Sequence, residues 1–387
     1  MLDVLYLVGN TGDPAVARRV SMLRDGGATV SIAGFRRVGS ASPSLDVSDY
    51  YELGQTFDAR FAQRILAIAR AAGPLKSRMR SRGVPDVIVA RNLEMLFLAV
   101  RLSGLRGNSP AIVYECLDIH RLMLRQDLIG HALRRLERQL ARRASLLLVS
   151  SPAFGREYFG RINPLGRPIR LVENKVYGGP PRGPNSTIGD NLEKPIRIGW
   201  FGALRCRKSL DILDRFTRHM DGSVEVVLRG RPALTEFDDF HGVVAANPFM
   251  SYEGTYRSPD DLAAIYSGVH LAWAIDYFEE GQNSKWLLPN RVYEGCLNGA
   301  IPIALAGTET ASFVASKNIG IVLDDTRQDT LVRVLGGLSR ERLRSLAAAV
   351  AATPASQFAC DMVECRALVA ALDGSANPET NAIEVAA

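Results

Sequence analysis

Two series of short apolar runs alternate with helical segments along this chain, and a stretch rich in glycine and proline separates the two series. The first series runs from Leu2–Val8 to residues 146–150, and the second from residue 196 to residue 323. Short apolar runs between helices are typical of parallel strands covered by helices on both faces. The pattern therefore predicts an α/β fold with two doubly wound, Rossmann-like domains.

The predicted elements follow this alternation. In the first series, strands are expected at 2–8, 29–34, 87–90, 111–115 and 146–150. Helices are expected between them at 13–24, 59–72, 93–102 and 121–143. In the second series, strands are expected at 196–201, 224–228, 269–273, 301–304 and 319–323.

The boundaries of the domains are predicted from composition. Residues 177–195 are rich in glycine, proline and asparagine, which favours a linker over 178–195. An N-terminal domain over 1–177 and a C-terminal domain over 196–355 are expected on either side of it. Residues 356–387 are predicted to form a helix that returns to the N-terminal domain, followed by a tail. Because ligands bind outside the carboxyl ends of the strands in such sheets, the site is expected in a cleft between the domains.

Composition excludes several classes of protein. The chain has 387 residues, of which 47% are apolar and 23% charged, as in ordinary globular proteins. It has no apolar run of about 18 residues, so no membrane span is expected. Residues 1–14 lack a basic region before an apolar one, so no signal peptide is expected. The five cysteines have no metal-binding spacing, which indicates reduced thiols in a cytoplasmic protein.

Charge is divided unevenly along the chain. Residues 1–180 contain 27 lysines and arginines against 15 aspartates and glutamates, a net charge of +12. The rest of the chain has a net charge of −6, and the whole chain one of +6. A basic N-terminal half indicates an anionic partner, namely membrane lipid, a lipid-linked pyrophosphate acceptor or nucleic acid.

The segment 287–304 predicts a helix followed by a buried strand. Pro289 suits the first helical turn, and Gly299 accepts the left-handed backbone that ends helices. The first turns of this helix carry three polar side chains, Asn290, Arg291 and Glu294. The positive end of a helix favours anionic ligands, so these side chains are candidates for binding one.

This segment resembles the nucleotide-sugar-binding half of retaining GT-B glycosyltransferases of the family 4 type (glycosyl transferases group 1). The matching residues are Glu294, Gly295, Gly299, Pro302 and Ile303. In that family the glutamate accepts hydrogen bonds from the ribose hydroxyls of the donor. A carboxylate suits a diol because it only accepts hydrogen bonds. The resemblance implies a GT-B architecture and a nucleotide diphosphate sugar as donor substrate.

One position departs from the family pattern. A second glutamate often stands eight positions upstream, where this chain has Trp286. The polar loop before it is expected to supply donors and acceptors to the sugar hydroxyls and phosphates, with Asn283, Ser284 and Lys285 as the candidates. Which residue of the loop replaces the missing glutamate stays open.

A second match lies in residues 196–208. A strand is predicted to end at Gly202 and a helix to begin near Lys208, with Arg205 and Arg207 between them. This resembles the family's strand–Gly–loop–Arg–x–x–Lys element, and the match falls on Arg205 and Lys208. The resemblance implies that these two cations stabilise the negative charge that develops on the departing diphosphate. Taken alone, the segment is equally compatible with a solvated basic turn.

The first domain carries weaker signals. The loop 9–13 follows the first strand without a GxGxxG pattern, and Gly12 in it is a candidate for close approach to a phosphate or sugar. Asp118 and His120 follow the strand at 111–115, and family members often have an Asp and a His here that face the donor sugar. A lone histidine is as often structural. Asn92 is expected to be a helix N-cap.

The predicted helix 121–143 is the candidate for a membrane or acceptor face. Its narrow apolar stripe consists of Leu122, Ile129, Leu133, Leu136 and Leu140. Arginines lie off the stripe: Arg121, Arg125, Arg134, Arg135, Arg138, Arg142 and Arg143. Packing of the stripe on the sheet is the simpler reading, and the arginines would then meet an anionic membrane surface. The segment 60–82 adds further basic residues.

The resemblance implies retaining glycosyl transfer to a lipid-linked or polysaccharide acceptor, in bacterial exopolysaccharide or cell-surface glycan assembly. The expected location is cytoplasmic, at the inner face of the membrane. No cofactor and no metal are expected, because cationic side chains take the role of the metal in this type of enzyme. The architecture of the resemblance covers most of the chain, whereas its specific motifs are confined to residues 199–208 and 283–304.

Two other classes of function remain open. A sugar-nucleotide epimerase of the same fold needs acid and base groups, for which Asp118, His120 and Asp276 are candidates without a paired spacing. A non-enzymatic nucleic-acid binder is suggested by the pI of about 9.1. The sequence has no RRM, KH, zinc or helix-turn-helix signature, and the acidic second half argues against nucleic acid as a partner.

Overall fold

The computed structural model describes residues 1–37, 45–56, 70, 72–79, 81, 83–103, 109–178 and 195–374. The chain forms two compact units. The first comprises Met1–Glu173 and the chain from Asp361 onward, and the second comprises Asn174–Cys360. The predicted linker 178–195 lies outside the described residues except at its two ends, and so do most of the predicted helix 59–72 and the tail after residue 374.

The first unit is built on a sheet of seven parallel strands. In spatial order they are β3 (Asp49–Thr56), β2 (Ala28–Arg37), β1 (Leu2–Val8), β4 (Val87–Arg91), β5 (Ala111–Cys116), β6 (Ala144–Val149) and β7 (Ile169–Leu171). The central strands are apolar and buried, as parallel strands covered on both faces require. The order of the strands reverses between β1 and β4, and ligands of open α/β sheets bind at such a reversal.

Helices cover both faces of this sheet. They include α1 (Pro14–Asp25), α2 (Asn92–Leu102), α3 (Arg121–Leu124), α4 (Leu128–Ala141) and a π-helix at Phe154–Ile162. Helix α1 begins as the sequence predicts, because the Asp13 carboxylate accepts a hydrogen bond from the Ala15 N–H and Pro14 takes the first helical position.

Two details of the predicted helices are wrong. The expected single helix 121–143 is broken into α3 and α4, because Asp127 caps α4 by accepting a hydrogen bond from the Gly130 N–H at 3.1 Å. Asn92 is not an N-cap, since Arg91 precedes the helix and Asn92 is its first residue, with φ of 67°. Asparagine tolerates this left-handed backbone better than most residues do.

The second unit contains a sheet of six parallel strands. In spatial order they are β10 (Met250–Tyr252), β9 (Val224–Pro232), β8 (Ile196–Leu204), β11 (Leu271–Trp273), β12 (Ile301–Leu305) and β13 (Ile321–Leu323). The order reverses between β8 and β11. The buried core on this sheet includes Trp200, Trp273, Phe201 and Phe216. The carboxyl ends of β8 and β11 are therefore the expected position of a ligand in this unit.

Eight α-helices belong to the rest of the described chain. They are α5 (Arg207–Met220), α6 (Phe240–Ala245), α7 (Leu262–Ser267), α8 (Asn290–Leu297), α9 (Glu309–Lys317), α10 (Gln328–Leu331), α11 (Arg340–Ala352) and α12 (Met362–Leu372). The last of them, α12, belongs to the first unit and packs against the end of α1. A Cβ added to Gly26 would lie 2.4 Å from the carbonyl oxygen of Cys365.

The predicted fold class of two doubly wound α/β domains is confirmed. Among the described residues, none of the helices combines the length and the apolar content that crossing a bilayer requires. All five cysteines are free thiols.

Candidate active site

The second unit brings two basic side chains to the carboxyl end of β8. Arg205 directly follows the strand, and Lys208 lies in the first turn of α5. Cys206 caps this helix, because its Sγ accepts a hydrogen bond from the Ser209 N–H at 3.3 Å. The two cations predicted to bind the diphosphate thus lie at the reversal of strand order in this sheet.

The glycine expected at the end of this strand lies inside it. Strand β8 continues two residues past Gly202 to Leu204, and α5 begins at Arg207, next to the predicted start at Lys208. Gly202 has φ of +109°, and it pairs with Gly230 of β9. A Cβ at Gly230 would lie 1.9 Å from the carbonyl oxygen of Gly202, so only glycine allows these backbones to come this close.

Arg205 contacts a short segment that follows β11. Its Nη2 lies 3.9 Å from Oδ2 of Asp276, and its guanidinium carbon lies 4.3 Å from the ring centroid of Phe278. Its Nε is buried and has no hydrogen-bond partner among the described residues. Arg205 is therefore fixed by a carboxylate and a ring, and it retains a donor that a ligand oxygen can use.

Lys208 contacts the same segment. Its Nζ lies 2.8 and 2.9 Å from the two carboxylate oxygens of Glu280. It also lies 4.1 Å from the ring centroid of Tyr277. Both members of the Lys208–Glu280 ion pair are half exposed, so this pair is open to solvent and to anions.

Glu294 is buried in α8, as its position in the motif requires. Its Oε2 lies 3.5 Å from the hydroxyl of Tyr256, and its Oε1 lies 3.4 Å from the hydroxyl of Ser258. Burial raises the pKa of Tyr256, and the neighbouring carboxylate raises it further. The phenol therefore keeps its proton and donates to Glu294, and both hydrogen bonds are long enough to be weak.

Arg291, at the start of the same helix, is also buried. Its Nη1 donates to the carbonyl oxygen of Trp273 at 3.5 Å, and its Nη2 lies 4.0 Å from Oδ2 of Asp276. Asp276 therefore lies between Arg205 and Arg291 and joins the two matched segments. Asn290, which was predicted beside Arg291, is exposed.

The three candidates of the preceding loop separate into two groups. Asn283 and Ser284 are buried in the unit, at a short 3₁₀ helix that spans Ser284–Trp286. Lys285 is exposed and lines a cavity of about 650 Å³ together with Lys208 and Glu280. Of the three, Lys285 thus lies beside the cation predicted to bind the diphosphate.

The first unit contains a buried charge cluster that the sequence analysis missed. Glu115 accepts hydrogen bonds from Arg19 Nε at 2.7 Å, from Arg91 Nε at 2.9 Å and from the hydroxyl of Tyr6. Burial alone would raise the pKa of Glu115, but Arg91 and Arg19 outweigh it and lower this pKa to about 2. The signal in the sequence is a charged residue within each of two apolar strands, β4 and β5.

Arg91 also extends to the loop after β1. Its Nη2 donates to the carbonyl oxygen of Ala15 at 3.1 Å, and its Nη1 lies 3.5 Å from Oδ2 of Asp13. Within this loop the N–H of Gly12 donates to Oδ1 of Asn10 at 3.1 Å. The N–H of Gly12 is therefore already bonded within the loop and is not free to bind a phosphate.

Asp118 and His120 lie beyond the carboxyl end of β5, as predicted. Oδ1 of Asp118 accepts from the Ile119 N–H at 2.8 Å, and Nδ1 of His120 caps α3 by accepting from the Leu122 N–H at 3.2 Å. Both residues line a cavity of about 120 Å³. His120 therefore has a structural role as a cap, and it also borders a cavity.

A buried carboxyl group, which the sequence analysis also missed, lines the same cavity. Glu137 of α4 accepts hydrogen bonds from the hydroxyls of Tyr114 and Tyr158, each at 2.7 Å, and from Nδ2 of Asn163 at 2.6 Å. Burial raises the pKa of Glu137, and the three donors only partly offset this. Tyrosines 23 and 21 positions away supply these bonds, so the sequence pattern of α4 gives no sign of them.

The predicted basic face changes in two ways. Arg134 is buried, and its guanidinium donates to the carbonyl oxygens of Met123 at 2.6 Å and of Arg125 at 2.8 Å, so it is wrongly assigned to a membrane surface. The apolar stripe packs against the unit at Leu140, whereas Ile129 is 52% exposed. Arg80 and Arg82 of the second basic segment lie outside the described residues.

The described part of the chain has no cluster of three or more histidine, cysteine, aspartate or glutamate side chains that could hold a metal ion. The candidates for donor binding lie together in the second unit, where Asp276 contacts both Arg205 and Arg291. Asp118 and His120 lie in the first unit, and Gly12 belongs to a separate loop of that unit.

Comparison with known proteins identifies a close relative. The chain is 49% identical over 379 residues to the succinoglycan biosynthesis protein ExoL of Rhizobium meliloti (strain 1021), covering 95% of this chain and 93% of that protein. No protein-family model matches the chain.

Solved structures of low sequence identity share the fold. Sucrose-phosphate synthase from Thermosynechococcus elongatus superposes with a TM-score of 0.74 at 14% identity, covering 97% of this chain and all of that one. Anabaena HepE in complex with UDP and glucose superposes with a TM-score of 0.67 at 17% identity, with the same coverage. These likenesses confirm the predicted GT-B fold. Together with the relative, they support the predicted exopolysaccharide glycosyltransferase.

Proposed function

The chain belongs to the family of the succinoglycan biosynthesis protein ExoL, and from this premise we propose that it transfers a sugar from a nucleotide diphosphate sugar to an acceptor during exopolysaccharide assembly. The observation that carries the proposal is the arrangement in the second unit. Arg205 and Lys208 lie at the end of β8, and Glu294 lies in the helix that precedes β12. Cations for a diphosphate and a carboxylate for a diol are thus gathered at one sheet.

Glu294 is the proposed ligand of the ribose. Its carboxylate is buried and accepts two long hydrogen bonds, from Tyr256 and Ser258. Two ribose hydroxyls replace or supplement these long bonds with shorter ones to the same carboxylate, and short hydrogen bonds to an ionised acceptor are strong. Uridine is the favoured nucleoside of the donor, since the HepE structure of the same fold contains UDP.

Arg205 and Lys208 are the proposed ligands of the diphosphate. Arg205 offers a buried Nε without a partner among the described residues, and Lys208 has a half-exposed ammonium. Positive charge at these two points stabilises the leaving group most when its bond to the sugar breaks, and therefore lowers the barrier of the chemical step. Arg291 supports them through its contact with Asp276.

The proposed reaction is a substitution with retention at the anomeric carbon. The bond from that carbon to the diphosphate oxygen breaks, and a bond to the acceptor oxygen forms on the same face of the ring. The proton of the acceptor hydroxyl moves to an oxygen of the departing nucleoside diphosphate. No cofactor takes part in this scheme, and the side-chain cations supply the positive charge that a metal would otherwise provide.

Asp118 and His120 are proposed to contact the sugar that is transferred or the sugar that accepts it. Both line the cavity of about 120 Å³ at the carboxyl end of β5. Carboxylate and imidazole groups are suitable partners for sugar hydroxyls. A lipid-linked or polysaccharide acceptor agrees with the succinoglycan named for the relative.

The first unit is proposed to bind an anionic membrane surface through helix α4. The first two residues of this helix, Leu128 and Ile129, are 88% and 52% exposed, and they are here called the tip. Exposed apolar side chains of this size gain free energy when they enter the boundary of a bilayer. Arg134 holds the turn before this helix in place by donating to the carbonyl oxygens of Met123 and Arg125.

Three exposed arginines follow these two residues, two of them within α4 and the third at its C-cap. Arg135, Arg138 and Arg142 line a cavity of about 520 Å³ with residues 164–166. The only carboxylate within α4 itself, Glu137, is buried. A basic surface beside an apolar tip complements anionic lipid head groups, each cation near the surface contributing roughly 1 kcal/mol.

The test begins with a thermal-shift screen against UDP-, GDP-, ADP- and dTDP-sugars, because a ligand that binds only the folded state raises the melting temperature. The sugar that shifts the temperature is then incubated with purified enzyme and a membrane lipid fraction, and the anomeric configuration of the product is read by NMR. Transfer with retention supports the proposal. Conversion of the sugar nucleotide without any acceptor would instead identify an epimerase.

A further inference from the structure

The two cations of the proposed diphosphate site are covered by one short segment, Asp276–Glu280, here called the cover segment. Its side chains alternate between the two cations. Asp276 and Phe278 contact Arg205, whereas Tyr277 and Glu280 contact Lys208. Each cation thus has one carboxylate and one aromatic ring from the same five residues.

The two carboxylates of the cover segment differ in how firmly they are held. Asp276 is largely buried, is shared between Arg205 and Arg291, and accepts a hydrogen bond from the Phe278 N–H at 2.9 Å. Glu280 is 51% exposed and has only the ammonium of Lys208 as its ion-pair partner among the described residues. Exposed ion pairs contribute little to stability, so the Lys208–Glu280 pair is easily broken.

The backbone around Glu280 forms a turn, in which the Glu280 N–H donates to the carbonyl oxygen of Tyr277 and the Gln282 N–H to that of Glu279, each at 3.0 Å. Glu279 has φ of +58° and Gly281 has φ of +84°, so left-handed residues stand on both sides of Glu280. A Cβ at Gly281 would have no other atom within 4 Å. The start of the segment is fixed, because the hydroxyl of Tyr277 lies 2.7 Å from that of Thr326. A rotation of the Glu280 side chain can therefore break its pair with Lys208 and leave Asp276 and Tyr277 in position.

We propose that Glu280 is the exchangeable counter-ion of Lys208 and determines how tightly this site binds a diphosphate. In the unliganded protein its carboxylate neutralises the ammonium, and the diphosphate of the donor displaces it. This rests on the proposed function, and it adds a residue that competes with the substrate for Lys208. The competition lowers the affinity of the site for every anion that needs Lys208.

The consequence is opposite in sign to that of an ordinary binding residue. Removing the charge of Glu280 should tighten anion binding, because the anion no longer competes with an internal carboxylate. An exposed pair contributes up to about 1 kcal/mol, which corresponds to a gain in affinity of up to roughly fivefold. A ligand that does not reach Lys208, such as uridine, should show no change.

The test uses isothermal titration calorimetry with inorganic pyrophosphate and with uridine. Glu280→Gln should lower the Kd for pyrophosphate about two- to fivefold and leave that for uridine unchanged. Glu279→Gln is the matched control, since it removes the same charge one residue away and Glu279 has no ion pair among the described residues. In a Lys208→Ala background, Glu280→Gln should have no effect, because neighbouring residues that interact are not additive.

Three results would overturn the inference. If wild-type protein binds pyrophosphate and Glu280→Gln leaves this affinity unchanged or weakens it, the inference about Glu280 is wrong and the proposed donor site stands. An equal gain in pyrophosphate affinity in Glu279→Gln would show that net charge, rather than the pair with Lys208, causes the effect. Pyrophosphate binding by neither wild-type protein nor Glu280→Gln would overturn the proposed donor site and this inference together. Thermal unfolding of each variant verifies that the fold is intact.

Discussion

The hydroxyl of Tyr256 lies 3.5 Å from Oε2 of Glu294, although the two residues are 38 positions apart in the sequence. A second hydroxyl, from Ser258, lies 3.4 Å from the other oxygen of this carboxylate. The two weak donors occupy the carboxylate that is proposed to bind the ribose. They satisfy the carboxylate of Glu294 while the site is empty, and a ligand that forms shorter hydrogen bonds displaces them.

Replacement of Glu294 by Gln is expected to weaken binding of the nucleotide without unfolding the protein. The change removes one charge-assisted acceptor, which costs on the order of 1.5–3 kcal/mol, or roughly ten- to hundredfold in affinity. Calorimetric titration with UDP measures it. Glu236→Gln, at an exposed position of the same unit, is the control. Unchanged affinity in Glu294→Gln would remove this residue from the site.

Arg205→Ala and Lys208→Ala are expected to lower kcat more than they weaken binding of the nucleoside. Both cations face charge that grows as the sugar bond breaks, so their effect belongs to the chemical step. Arg207→Ala is the matched control in the same turn, because Arg207 pairs with Asp238 at 2.9 Å instead. If Arg207→Ala lost as much activity as the other two variants, the assignment of the cations would be wrong.

Transfer activity is expected to survive treatment with EDTA. The proposed scheme relies on side-chain cations for the diphosphate, and the described residues contain no cluster of metal-binding side chains. Initial rates with and without EDTA, followed by addition of Mg²⁺ or Mn²⁺, measure the dependence. A strict requirement for either ion would contradict the cationic account of leaving-group stabilisation.

Membrane binding is expected to depend on the tip and the arginines of α4. Sedimentation with anionic liposomes should fall when Leu128 and Ile129 are changed to Ser, and also when Arg135, Arg138 and Arg142 are changed to Gln. Binding should also fall steeply with salt, since exposed charges are screened over about 10 Å at 0.1 M. The control changes three exposed arginines of α11 to Gln, namely Arg340, Arg342 and Arg344.

Donor affinity should remain unchanged in these α4 variants, because the proposed donor site lies in the other unit. Wild-type protein that ignores anionic liposomes even at low salt would end the membrane proposal. Equal losses in the α11 control would show that net charge, rather than this surface, drives the binding.

Stability is expected to fall in acid because of Glu115. Its pKa is lowered from 4.5 in the unfolded chain to about 2 in the folded protein. The contribution is therefore complete above about pH 4.5 and is lost as the pH falls towards 2, and it amounts to on the order of 3 kcal/mol. Glu115→Gln should unfold at lower urea concentration at pH 7 and should lose less stability between pH 5 and pH 3.

Glu137→Gln is the control with the opposite sign. The pKa of Glu137 is raised, so its folded state favours the protonated carboxyl group, and this contribution fades as the pH rises through the raised pKa. Glu137→Gln should therefore lower the free energy of unfolding at pH 7 by less than Glu115→Gln does. Identical pH profiles for the two variants would contradict the assigned directions.

Much of the fold can be predicted from the alternation of apolar runs and helices. Strands β1, β4 and β5 are mostly apolar, with one charged residue each, and Asp13 with Pro14 marks the start of α1. The strands that escaped prediction are β3, which is polar, and β7 and β10, which have three residues each. The hydrophobic pattern of so few residues does not distinguish a strand from a loop.

The candidate site is predictable where one segment carries it. Glu294, Arg205 and Lys208 were identified from local motifs, and their functional roles stay predictions. The partners of these residues were not identified, because Tyr256 and Asp276 reach them only through the fold. The break between α3 and α4 could have been predicted, because Asp127 and Gly130 form a capping pattern. The apolar stripe, which continues across the break, obscured this pattern.

The packing of α12 on α1 has a consequence for synthesis of the protein on the ribosome. The second unit is continuous in sequence, whereas the first unit needs residues that are translated after it. The strands of its seven-stranded sheet are therefore translated first, and α12, which covers the end of α1 at Gly26, is translated last. At roughly 5–20 residues per second, the nearly 200 intervening residues take about 10–40 seconds to translate. During that interval the surface of α1 that α12 covers in the folded protein stays exposed on the nascent chain.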